Sequence, residues 1–260
     1  NPIAGCRTLA GARTMARWLA KSQQVEKVGG QDMAFWETLG QKLLTPMLFA
    51  AANTGRDISA VCRWVEYNAD QQVQNVLDGL AGQVTADELA DAKSMWAATV
   101  AREPRQKSSV YGTAEVILSG FDHPLVRAAM TGTERDPDVY SPGKLIDRRG
   151  TLYLAASKAH ADEFAAVFDA MQAQLLDEVE QRSMSNGGLP LQPGLAVVLE
   201  EAANIARFRN LPYVASATRG MGLLLMSIWQ DEGQIQNCYG AASVRTVVSN
   251  HLWKVYLPGS

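Results

Sequence analysis

Four short apolar runs in the second half of the chain constrain its fold more than any other feature. GTLYLAAS (150–157), LAVVLE (195–200), GLLLMSIW (222–229) and HLWKVYL (251–257) are each nearly continuous in apolar residues. Short runs without alternation are the pattern of strands covered on both faces, as in a parallel sheet. Between the first two lies KAHADEFAAVFDAMQAQLLDEVEQRSM, a long amphipathic helix by spacing. Between the last two lies a helical stretch, IQNCYGAASVRTVV. Strand–helix–strand alternation predicts a three-layer α/β sheet with right-handed crossovers over residues 136–260.

Residues 1–135 have a different texture and read as mainly helical. DMAFWETLGQKLLTPMLFAAAN puts Phe35, Trp36, Leu39, Leu43, Leu44, Met47 and Leu48 on one broad apolar face. Pro46 should kink or divide that helix. DISAVCRWVEYN opens on an N-cap residue, Asp57. TADELADAKSMWAATVAREP opens on Thr85 with Glu88 three residues on, a capping box, and ends near Pro104. SSVYGTAEVILSGFDHP follows as another helix, stopping near Gly120. Trp18, Trp36, Trp64 and Trp96 sit among apolar neighbours on these faces and read as core anchors rather than stacking platforms for bases. His123, in FDHP, reads as a loop residue.

Bulk properties exclude several classes. A net charge of −3 carries no overall basic field for nucleic acid. The longest apolar run, LLTPMLFAAA, is too short to span a bilayer. Cys6, Cys62 and Cys238 are scattered, so neither a disulfide framework nor a Cys/His metal site is indicated. His160 and His251 lack partners at ligand spacing. The ends, NPIAGC without an initiator Met and LPGS directly after a strand-like run, suggest a piece of something longer.

The run LAVVLE ends in paired acids, Glu200 and Glu201. In parallel sheets chemistry collects at the carboxyl ends of strands. An apolar strand closing in two acids is the Walker B arrangement: one carboxylate holds Mg²⁺ and the other polarises the attacking water. Adjacent strand residues point in opposite directions, so the two acids can serve different partners. Acids after a strand also serve at the N-terminus of a following helix, and the pattern alone does not decide between the two. Downstream, a helix-like stretch carries Ser216 and Arg219, and the next strand ends at Gln230. A glutamine there can sense a terminal phosphate or orient water. An arginine before that strand can reach across a subunit boundary.

These residues carry a resemblance. The segments NPIAG, FWETLGQKLLTPMLFAAA, GTLYLAAS, LAVVLEEAANIARFRNLP, SATRGMG, SIWQDEGQIQNCYG and VVSNHLWKVYLPG occur in the order found in the type IV secretion coupling proteins of bacterial conjugation. The chain is similar to these TraG/TraD-like DNA-transfer ATPases over nearly its whole length. The resemblance implies a RecA-like P-loop NTPase fold, present in part, with an all-α domain inserted between Walker A and Walker B. It implies a homo-hexameric ATPase, anchored at the cytoplasmic face of the inner membrane by a segment missing here, this chain itself being soluble. The expected partners are single-stranded DNA, relaxase and relaxosome proteins, and secretion-channel components. The expected cofactors are ATP and Mg²⁺. Carried over by position, Glu200 is the Mg²⁺-side acid, Glu201 the catalytic acid, Arg219 the inter-subunit arginine and Gln230 the sensor.

Two features depart from the family pattern. The family usually has Asp where this chain has Glu200, and the extra methylene shifts the carboxylate against the strict octahedral shell of Mg²⁺. No G-x-x-x-x-G-K-[ST] occurs; SPGKL lacks both the hydroxyl and the upstream glycine. The expectation is therefore half of an active site, with the P-loop upstream and this chain alone inactive. Two other readings compete: a non-enzymatic module that docks relaxosome or effector proteins, and another RecA-like DNA motor such as a septal translocase.

Overall fold

The computed structural model describes residues 2–3, 5–22, 32–124, 126, 140–157, 160–203, 208 and 211–257. The chain divides into two compact units, Asn1–Ser141 and Pro142–Ser260. No helix among the described residues is long and apolar enough to cross a membrane.

The first unit holds α1 (Leu9–Ser22), α2 (Asp32–Asn53), α3 (Ile58–Glu66), α4 (Asp70–Asp78), α5 (Ala86–Val100) and α6 (Pro104–Leu118). α2 is the hub and packs against the other five. Leu43, Leu44, Met47, Leu48 and Phe49 on α2 are fully buried. Each such side chain removed from water contributes about 1.5–3 kcal/mol. That packing explains why α2 runs undivided through Pro46, so of the kink or division expected there the division does not occur. The proline costs about 3 kcal/mol locally, and burial of the surrounding turns offsets it. Thr45 Oγ1 ties the same turn by donating to the Gln41 carbonyl at 2.7 Å. Phe35, expected on the core face, is half exposed and packs edge-on against Trp36, with ring centroids 5.3 Å apart. Trp64 and Trp96 are core residues, whereas Trp18 and Trp36 are half-buried.

Caps follow the sequence closely. Asp57 accepts from the Ala60 N–H and starts α3. Thr85 accepts from the Glu88 N–H and donates its hydroxyl to Glu88 Oε2 at 2.9 Å. Glu88 Oε1 accepts the Leu9 N–H at 2.9 Å, so one carboxylate joins the starts of α5 and α1. Pro104 opens α6 rather than merely following α5, because its missing N–H costs nothing in a first turn. α4, not anticipated, is tied to α6 by Asp70, which accepts from the Tyr111 hydroxyl at 2.6 Å and pairs with Lys107.

The second unit holds α7 (Pro142–Asp147), α8 (Ala161–Ser185), β1 (Leu195–Leu199), α9 (Leu211–Ala217), β2 (Leu223–Ser227), α10 (Glu232–Tyr239) and α11 (Ala241–Asn250). Pro142 starts the short helix α7. Arg182 of α8 holds that helix by ion pairing with Asp147 at 2.6 Å. The stretch expected as one helix after β2 is two, broken at Gly240, whose φ of 82° lies in the left-handed region that suits glycine.

β1 and β2 pair in parallel, Leu195 opposite Leu223 through Leu199 opposite Ser227. They are the only two strands among the described residues. Residues 150–157 and 251–257, expected as strands, are not strands: neither joins the β1–β2 sheet, and Tyr153 and Trp253 are almost fully exposed. The expected coverage of both sheet faces is also corrected. Leu223, Val197, Leu225 and Leu199 pack with Phe208, Leu211, Val214, Ile235 and Val247 on one face. On the other, Val198, Leu224 and Met226 are each more than half exposed. Gly222 shapes the amino end of β2: a Cβ there would meet Leu191 N at 2.5 Å.

Candidate functional site

The β1–β2 register sets which side chains meet. Parallel strands in register end together, so the residues after Leu199 and after Ser227 leave the sheet at the same edge. The ladder continues past both strands: the Ile228 N–H donates to the Leu199 carbonyl at 2.9 Å, and the Ala202 N–H donates to the Ile228 carbonyl at 3.4 Å. Glu200 and Glu201 follow β1 directly, and Gln230 lies just beyond β2 at this same end.

Glu201 has a φ of 52°, a left-handed conformation. For a residue with a Cβ that costs about 1–2 kcal/mol. It turns the chain sharply after the strand, with the small side chains of Ala202 and Ala203 buried beneath the turn. Both glutamates stay exposed. Among the described residues Glu200 makes no ion pair. Backbone held off its preferred region, beside solvent-facing acids, is the kind of local strain that collects at functional sites.

Gln230 is held from one helical turn away. Its N–H donates to Gln234 Oε1 at 3.0 Å, and its Oε1 accepts from Gln234 Nε2 at 3.3 Å. The Gln230 amide nitrogen is the group left to donate. Asp231 caps α10 by accepting the Gln234 N–H at 2.8 Å, and Glu232 sits in the first turn. Glu200, Glu201, Asp231 and Glu232 thus all follow the carboxyl ends of the two strands. They repel bare phosphate and accept it only with a cation.

Arg219 lies elsewhere. It sits in the 3₁₀ turn Thr218–Met221, before the amino end of β2, and is exposed. Within one chain it stands at the opposite end of the strand from Gln230. Ser216 is spent locally on the Tyr213 carbonyl at 3.0 Å. The segments 204–207 and 209–210 lie outside the described residues.

One network at this end was not read from the sequence. Ser227 Oγ lies 3.0 Å from His251 Nε2 and accepts from Trp229 Nε1 at 2.8 Å. His251 Nδ1 lies 2.7 Å from the Val247 carbonyl, which only accepts, so Nδ1 carries the proton and Nε2 takes the serine hydroxyl. The network pins the end of β2 to the end of α11. Three residue types spread over 24 positions leave no local signal.

Mg²⁺ bound with a nucleotide needs one or two carboxylates, the remaining ligands being phosphate oxygens and water. The exposed Glu200–Glu201 pair fits that demand. Among the described residues no group of three or more His, Cys, Asp or Glu is arranged as a self-sufficient metal site. All three cysteines are free thiols.

The family model for the type IV secretory system conjugative DNA transfer proteins matches residues 1–259. No curated protein matches the chain. Among solved structures it is similar to the bacterial conjugative coupling protein TrwBdeltaN70. The unbound monoclinic form aligns at 16% identity and a TM-score of 0.54, over 90% of this chain and 49% of the other. The trigonal form in complex with sulphate aligns at 16% identity and a TM-score of 0.58, over 90% and 50%. At that identity the likeness establishes a shared fold, and this chain spans about half the length of those proteins.

Proposed function

Because the chain belongs to the type IV secretory system conjugative DNA transfer family, we propose that it forms part of an ATP-driven translocase that couples the relaxosome to a type IV secretion channel. In this reading the second unit is a portion of a RecA-like nucleotide-binding domain, and the first contains an inserted all-α domain. The phosphates are cradled by a P-loop outside these residues. The working form is a homo-hexamer at the cytoplasmic face of the inner membrane.

The observation that carries the proposal is the parallel register of β1 and β2, with Glu200, Glu201 and Gln230 at one end. ATP bound there with Mg²⁺ supplies an activated phosphoanhydride. Glu200 would hold the Mg²⁺ that comes with the nucleotide, and the metal would supply positive charge against the phosphates. Glu201 takes hydrogen bonds from the attacking water and draws its proton. The left-handed turn at Glu201 redirects the chain directly after β1, and both acids stay exposed there. Gln230, steadied by Gln234, donates its amide to the terminal phosphate or the water. Arg219, at the far end of β2, serves the nucleotide of a neighbouring subunit.

The test is ATP hydrolysis by the full-length protein carrying Glu201→Gln. The amide keeps the size of the side chain and removes the base. Turnover should fall by at least about 100-fold, the range for a positioned acid–base group, with nucleotide binding and hexamer assembly retained. Hydrolysis near the wild-type rate would remove Glu201 from the mechanism.

A further inference from the structure

The first unit carries a cleft that the nucleotide chemistry does not use. It lies between the α2–α3 turn, one face of α3 and the first turn of α4. Ala60, Arg63, Trp64 and Tyr67 fall at helical spacing i, i+3, i+4 and i+7, so they share one stripe. Arg56 and Asp57 come from the turn and Gln72 from α4, closing a cavity of about 360 Å³. That volume lies within the range of small-molecule clefts.

The floor is rigid. Trp64 is 2% exposed, and the Arg56 guanidinium lies over it, 5.9 Å from the ring centroid. This cation–π contact holds the charge beside the ring, and Arg56 is exposed to solvent. The Arg56 N–H is fixed on the Ala51 carbonyl at 3.0 Å. Arg63 is exposed. Among the described residues neither arginine forms an ion pair. The one acid in the cleft, Asp57, is engaged at the start of α3 through the Ala60 N–H at 3.3 Å.

Tyr67 is the unusual member. It is 70% exposed, yet its backbone is firmly set. Its N–H donates to the Arg63 carbonyl at 3.0 Å, and the Ala69 N–H donates to the Trp64 carbonyl at 2.9 Å. Asn68 turns the chain with a φ of 48°. An aromatic ring presented to solvent on a fixed turn, beside two guanidiniums without acidic partners, suits a ligand with a flat face and an anion.

We propose that this cleft binds single-stranded DNA, with Arg56 and Arg63 on backbone phosphates and a base stacked on Tyr67. The proposal rests on the DNA-transfer reading above. Duplex DNA hides its base faces in the stack, so only a single strand offers the ring its partner. The cavity is the size of one nucleotide rather than of a groove. Gln72 adds an amide able to meet a base edge or a sugar.

The test is fluorescence anisotropy with a fluorescein-labelled single-stranded oligodeoxythymidylate, the complete protein and no ATP. Arg56→Gln/Arg63→Gln should weaken binding about tenfold or more. It should also flatten the log–log salt slope by about 1.4, since each phosphate left without its arginine subtracts about 0.7. Tyr67→Ala should weaken binding about tenfold with the salt slope unchanged, and Tyr67→Phe should restore it. These side chains are exposed, and circular dichroism confirms folding of each variant. Wild-type binding by both the arginine and the Ala variants would overturn the proposal. So would displacement of the strand by polyglutamate as effective as by unlabelled strand, which would mark an acidic-protein site. Displacement by free thymidine monophosphate at equal concentration would mark a mononucleotide site and equally overturn it. Because ATP is omitted, loss of the Glu201 assignment leaves this result standing, and failure here leaves Glu201 untouched.

Discussion

Single residues show where local chemistry is set against its surroundings. Tyr111 is buried and donates its hydroxyl to Asp70. Burial first, and the Asp70 hydrogen bond and charge next, raise its pKa above the ordinary 10.0. A raised folded-state value means the folded chain keeps a proton that the unfolded chain releases. The associated stability is therefore whole below about pH 10 and is lost progressively as pH rises above it. Tyr111→Phe should cost about 1.5–3 kcal/mol at neutral pH, by removing a hydrogen bond to a charged group. It should also flatten the decline above about pH 10. Urea unfolding of both chains across that range reads both effects, and parallel alkaline curves would exclude Tyr111 as the cause. Glu201 is the other telling residue: its acid pairing was visible in the sequence, but its left-handed backbone was not, since nothing in the EEAA string demands it.

At the scale of elements, legibility tracked how local the signal was. Asp57 and Thr85 announced their helices because a cap is satisfied within three residues. α4 was missed because its hold on the fold is a distant one, Asp70 reaching Lys107 and Tyr111. Apolar runs named β1 and β2 correctly, with the parallel sense and the carboxyl-end acids. The same reasoning failed for 150–157 and 251–257, because a strand exists only with a neighbour, and composition does not say whether one is present. The break at Gly240 was hidden inside a helical pattern that periodicity alone bridges. Gly222 gives an element-scale prediction. It combines a φ of 89° with a Cβ position 2.5 Å from Leu191 N. Gly222→Ala should lower stability by at least about 1–3 kcal/mol in chemical denaturation, through strain at the start of β2. An unchanged midpoint would show that the 191 and 222 segments separate freely.

For the whole molecule, the β1–β2 sheet is packed on one face and exposed on the other, and the chain spans about half the length of the coupling-protein structures it resembles. Under the two proposals, ATP chemistry falls at the carboxyl ends of β1 and β2 and strand contact on the helical unit. Arg219 belongs to this scale, since within one chain it stands at the wrong end of β2 to meet Glu201. The most direct measurement is a structure of the full-length protein with Mg²⁺ and a non-hydrolysable ATP analogue. The account predicts the terminal phosphate beside Glu201 and Gln230 of one subunit, with the metal on the Glu200 side and Arg219 arriving from a neighbour. A nucleotide seated at the amino ends of the strands, or away from Glu201 altogether, would contradict it.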